Sequence, residues 1–146
     1  MQVMPDQRCV VVGVDGSPNS LAALHRAARE AVDRHARLDV VHVLAPGTGT
    51  RPRLLRTATE WFRLRDLVAR AIPRSQHLTT RLRIAYGDPG KELAEAAGHA
   101  ELLVVGARAH SEYGNRFGGD TVPAVRQGTR CPVVICADDT AGDETA

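Results

Sequence analysis

Aromatic residues make up only 3% of this 146-residue chain, and lysine occurs once, at Lys91. With so few large rings, the interior has to be built from Val, Leu, Ile and Ala. No apolar run approaches the roughly 20 residues that a membrane-spanning helix needs. The opening Met-Gln-Val-Met-Pro-Asp has neither the basic region nor the apolar block of a signal peptide, so a cytoplasmic protein is expected. The three cysteines, Cys9, Cys131 and Cys136, are odd in number and lack metal-ligand spacing, which predicts buried, reduced thiols. The six histidines are scattered and form no metal-binding pair, so no metal is expected except Mg accompanying a bound nucleotide.

A length of 146 residues suits one domain with a real core, and 43% hydrophobic with 25% charged residues is ordinary for a globular protein. The net charge of +2 makes no case for nucleic acid, but its distribution is uneven. Nine arginines between Arg51 and Arg83 face only Glu60 and Asp66, whereas residues 138–146 carry four acids and no base. The acidic end is expected to be a disordered tail and residues 1–7 a flexible start.

Residues Arg8 to Asp15 form a β-branched run without alternation, as in a strand buried on both faces. Ser17 and Pro18 then supply a helix cap and first position, and Leu21, Leu24, Ala28, Ala31 and Val32 recur at helical spacing. Leu38 to Leu44 predicts a second buried strand. A helix over Pro52 to Ile72, stopped by Pro73, places Leu54, Ala58, Trp61, Val68 and Ile72 on one face and Arg56, Arg63 and Arg70 on the other. Leu78 to Tyr86 alternates like a strand near a sheet edge. Gly87-Asp88-Pro89 opens a helix to about Ala97, Glu101 to Gly106 makes a fourth strand, and a helix over about Thr121 to Gln127 precedes a fifth strand at Pro132 to Ala137. This βα alternation predicts an open five-stranded parallel sheet, Rossmann-like, with helices on both faces. Ligands in such sheets sit beyond the carboxyl ends of the strands where strand order reverses. Asp15 and Gly106 are the natural pair to flank that crevice, although spacing alone does not fix the order.

The familiar phosphate signatures fail. Gly13-Val-Asp-Gly16 is not a dinucleotide fingerprint, and Gly87-Asp-Pro-Gly-Lys91-Glu92 lacks the spacer and the hydroxyl residue of a P-loop. A phosphorelay receiver would need clustered acids after the first strand and a late lysine. What remains is the glycine-dotted stretch from Gly106 to Asp120, leading from a strand into a helix start, where backbone N–H groups point outward.

Val10-Val-Val-Gly-Val-Asp-Gly-Ser17, Val41-His-Val43, Gly87-Asp-Pro89, Leu102-Leu-Val-Val-Gly106 and Cys131-Pro-Val-Val134 together resemble the universal stress protein family over nearly the whole chain, residues 8–137. The resemblance implies an adenine nucleotide alpha hydrolase-like fold, a role in stress response and a homodimer through the last strand, at Val133, Val134 and Ile135. It also implies a pocket for ATP or another adenine nucleotide, held by a loop of the form G-x-x-G, nine residues, G-[S/T].

Carried over by position, the site comprises Asp15, Val43, Gly106 and Gly119, with Arg108, Ala109, Asp120 and Thr121 in or beside the loop. Ala109 stands where the second glycine belongs, and Asp120 where the hydroxyl residue belongs. An alanine at positive φ would cost about 1 kcal/mol or more. A carboxylate at position 120 can cap the helix itself and repel a phosphate, so weak or absent ATP binding is expected. Arg108, His110 and Arg116 would offset part of that repulsion. Two roles stay open for Asp15, as a turn acceptor or a ligand contact. A nucleotide hydrolase is disfavoured, because no lysine or metal-carboxylate cluster lies near the loop to stabilise phosphoryl transfer. The remaining alternatives are a nucleotide-binding signalling protein with an intact pocket and an interaction module using the arginine stripe of the second helix.

Overall fold

The computed structural model describes residues 8–15, 18–44, 52–72, 78–107 and 131–137. The elements run β1 (Cys9–Val14), α1 (Pro18–Arg34), β2 (Arg37–Leu44), α2 (Arg53–Ala71), β3 (Thr80–Tyr86), α3 (Pro89–Ala96), β4 (Leu102–Ala107) and β5 (Val133–Ala137). All strand pairs are parallel, and the order across the sheet is β3-β2-β1-β4-β5. The expected helix over Thr121 to Gln127, the tail 138–146 and residues 1–7 lie outside the described residues.

The run of valines in β1 is explained by its place at the centre of the sheet. Val10, Val12 and Val14 face one layer with α1 and Leu64 of α2, while Val11 joins Val41, Val43, Leu93, Leu103 and Val105 on the other. All four β1 valines are fully buried, which is why no polar residue interrupts them. Gly13 sits beneath Leu93 of α3: a Cβ there would lie 2.8 Å from a Leu93 methyl, so the missing side chain makes room for it. β3 is an edge strand, as its alternation predicts, with Leu82 and Ile84 packed on the α1 side.

Two helix faces differ from expectation. On α1 the buried strip is Ser20, Ala23, Leu24, Ala27, Ala28 and Ala31, whereas Leu21 and Val32 are exposed. Alanines let α1 settle close to the strands, and the bulkier Leu21 and Val32 fall just outside that seam. On α2 the inward face is Leu64, Leu67, Val68 and Ala71, with Ile72 just beyond the helix, and Leu54 is 80% exposed. Trp61 is half-buried, edge-on to exposed Phe62 at 5.4 Å between ring centres. Because α2 carries apolar residues on both faces, periodicity could not select the one that docks. Ile72 closes the helix in an extended conformation, as a residue before proline must. Asp88 caps α3 by accepting from the Lys91 N–H at 3.1 Å, with Pro89 following, as the Gly-Asp-Pro signal predicts.

The basic stripe is compensated within α2 itself. Arg63 meets Glu60 at 3.4 Å and Arg70 meets Asp66 at 2.6 Å, one helical turn apart. The cysteines are free but half-buried rather than buried. Burial pushes the Cys9 and Cys136 thiols above their ordinary value.

Candidate functional site

Strand order reverses between β1 and β4: from β1 the chain first extends to β2 and β3, then returns to β4 on the opposite side. Gly13 is paired with Val105, so Asp15 and Gly106 lie just beyond that rung at the same carboxyl end. Val43, near the end of β2, closes the other flank of β1, where His42 is level with Val14. Three of the expected site residues thus converge on one end of three adjacent strands. Arg108, Ala109, Gly119, Asp120 and Thr121 lie outside the described residues.

Asp15 is held by a reciprocal pair. Its N–H donates to Ser20 Oγ at 2.7 Å, and the Ser20 hydroxyl donates back to Asp15 Oδ1 at 2.6 Å. Ser20 is completely buried, so this ring satisfies a hydroxyl that would otherwise be costly inside the fold. It ties the end of β1 to the first turn of α1, with Asp15 half-buried at the crevice. Sequence reasoning placed Asp15 but missed Ser20; the legible signal was a serine five residues on, in register with Ala23, Leu24 and Ala27 on the buried strip of α1.

Val43 is buried among Val41, Leu93 and Val105 on the α3 side of the sheet and offers an apolar wall. Gly106 is also buried and pairs with Cys136, and β4 continues one residue past it to Ala107, slightly beyond the expected end. At the β3 end of the same rim, the Tyr86 hydroxyl and Thr57 Oγ1 are 2.6 Å apart, and the Arg53 guanidinium lies 4.1 Å from the ring centre. Arg56 also approaches this ring, at 5.5 Å. Tyr86 therefore anchors the first turn of α2 through an aromatic face and a hydroxyl, a cation–π arrangement that spacing did not reveal. Among the described residues no cluster of His, Cys, Asp or Glu is able to hold a metal ion. No helix among them is long and apolar enough to cross a membrane.

These features define a single-domain open parallel α/β fold with its crevice at a topological switch point, the architecture of many nucleotide sites. A sequence profile described as the Universal stress protein family matches residues 8–137, and the chain belongs to that family. A universal stress protein of Mycobacterium tuberculosis is 27% identical over 146 residues, covering 92% of this chain and 50% of the relative. The chain thus spans about half the length of that curated relative. Among solved structures, a universal stress protein in complex with cAMP is 28% identical, with a TM-score of 0.68 over 88% of this chain and 95% of its own. The universal stress protein from Archaeoglobus fulgidus in complex with dAMP, 22% identical, has the same fold, with a TM-score of 0.64 over 91% of this chain and 99% of its own.

Proposed function

We propose that this chain is a ligand-binding regulator in a stress response, with a pocket at the carboxyl ends of β1, β2 and β4 for an adenosine compound bearing little phosphate charge. The observation that carries this reading is the reversal of strand order between β1 and β4, with Asp15 and Gly106 on either side. Asp15, steadied by Ser20, is suited to accept from a ribose or base donor, and Val43 to pack against the adenosine part. The cAMP complex of a 28% identical relative supports an adenine nucleotide as the ligand class. Asp120, Ala109 and the rest of the loop set the preference: a carboxylate at the start of the helix expected from Thr121 would disfavour the triphosphate far more than a monophosphate. Arg108, Gly119 and Thr121 are the other loop positions proposed to border the phosphate. Domain limits of 8–137, a cytoplasmic location and a homodimer through Val133, Val134 and Ile135 belong to the same reading, and the edge position of β5 supports the last. Titration of AMP into the wild type and Asp15→Asn, which keeps an acceptor for Ser20, tests the pocket. Affinity is expected to fall about tenfold, for about 1.4 kcal/mol lost, and unchanged affinity would remove Asp15 from the site.

A second reading places a protein partner on α2. Exposed Leu54, Leu55 and Phe62 support it better than the arginines, since Arg63 and Arg70 are already matched by Glu60 and Asp66.

A further inference from the structure

The amino ends of β1, β2 and β3 form a second recess, at the pole opposite Asp15 and Gly106. It is a cavity of about 220 Å³ between the sheet and the carboxyl end of α3, whose lining includes Cys9, Arg37, Asp39, Arg81, Arg83 and Glu95. Alternation along β3 turns Arg81 and Arg83 to this side of the sheet, while Leu82 and Ile84 pack on the other. Their side chains leave the strand about 6–7 Å apart, the rise of two strand residues.

The register sets Arg81 directly across from Asp39. Yet Asp39 is taken by Arg37, whose Nε and Nη2 donate to its two carboxylate oxygens at 2.7 and 3.0 Å. Neither Arg81 nor Arg83 forms an ion pair among the described residues, and of the two described carboxylates in the lining only Glu95 is not already in a salt bridge. Burial, with Asp39 close by, raises the Cys9 thiol, so it remains protonated and adds no negative charge to the recess. Charge on an edge strand also discourages strand pairing. Arg81 and Arg83 are exposed, as that task requires, and they also stand side by side at the mouth of a cavity, open to a ligand from solvent.

We propose that this recess binds a small oxyanion carrying at least two negative charges, such as a diphosphate or a short dicarboxylate, clamped between Arg81 and Arg83. Arginine suits the task because its planar fork gives two parallel donors to carboxylate or phosphate oxygens. Arg37, locked by Asp39, forms a charge-neutral wall of the site. The site is separate from the nucleotide crevice, at the other end of β1 and β2, so its occupancy does not depend on the reading proposed above.

Calorimetric titration of the whole chain with pyrophosphate and, separately, succinate tests this at low ionic strength. At least one is expected to bind, with affinity reduced at least tenfold in Arg81→Gln/Arg83→Gln and partly retained in Arg81→Lys/Arg83→Lys. The arm that binds assigns phosphate or carboxylate chemistry. Backbone amide shifts on titration should move at Cys9, Arg37 to Asp39, Arg81 to Arg83 and Gly98 to Ala100, and saturation with AMP should leave the titration unchanged. These shifts test the wild type directly, even if a substitution disturbs folding. No binding of either anion, binding unaltered by the glutamine substitutions, or shifts confined to the carboxyl end of the sheet would overturn the proposal.

Discussion

At the scale of single residues, the pocket end depends on a few small groups whose roles differ. Ser20 is buried and exchanges two hydrogen bonds with Asp15, so Ser20→Ala removes both and takes the Ser20 acceptor away from the half-buried Asp15 N–H. A loss of about 1 kcal/mol in urea denaturation is expected, and an unchanged midpoint would mean that the turn is held by something else. Gly13 poses the opposite problem, too little room. Gly13→Ala places a methyl against Leu93, and because the opposing atoms are the flexible end of that side chain, the cost should be modest, about 1 kcal/mol. Stability equal to the wild type would show that α3 is looser than its contact with β1 indicates. The thiols of Cys9 and Cys136, raised by burial, should label slowly with iodoacetamide at neutral pH and rapidly in urea, as read by mass spectrometry.

At the scale of elements, α1 and α3 are fixed at their ends by charge and caps. Arg26 and then Arg34 donate to Glu30, at 3.0 and 3.1 Å, and hold its carboxyl below the usual range. A depressed carboxyl contributes stability above its unfolded value, and that contribution is lost as pH falls through the folded value. The groups are only half-buried and reached by solvent, so Glu30→Gln should cost only a few tenths of a kcal/mol at neutral pH and nothing once the carboxyl is protonated in both states. Elements were legible in unequal degree. Asp88-Pro89 and Ile72-Pro73 marked helix ends because capping and proline sterics act locally. The docking face of α2 was not legible, since Leu54 and Phe62 are as apolar as the Leu64 and Val68 that the sheet selects. Ser20 escaped notice because its partner is defined only once β1 and α1 meet.

At the scale of the whole molecule, alternating strands and helices were enough to specify a parallel sheet, and strand ends were enough to nominate Asp15 and Gly106. Their adjacency follows from the order β3-β2-β1-β4-β5, which is a property of how the chain packs and has no local signature. The loop from Arg108 to Thr121, proposed above to border the phosphate, lies outside the described residues. The edge position of β5 makes pairing with a second copy available, and Val134→Glu, which introduces a charge beside the Val104 rung, is expected to yield monomers in light scattering. A dimer that survives that charge would place the interface elsewhere. The crevice between β1 and β4 is where the proposed ligand preference, ascribed to Asp120, would be expressed. Calorimetric titration of nucleotide-free protein with AMP, cAMP and ATP, repeated on Ala109→Gly/Asp120→Ser, measures that preference directly. The unmodified chain should bind AMP or cAMP at least tenfold more tightly than ATP, and the double substitution should raise ATP affinity by a similar factor. Submicromolar ATP binding by the unmodified chain would contradict the account.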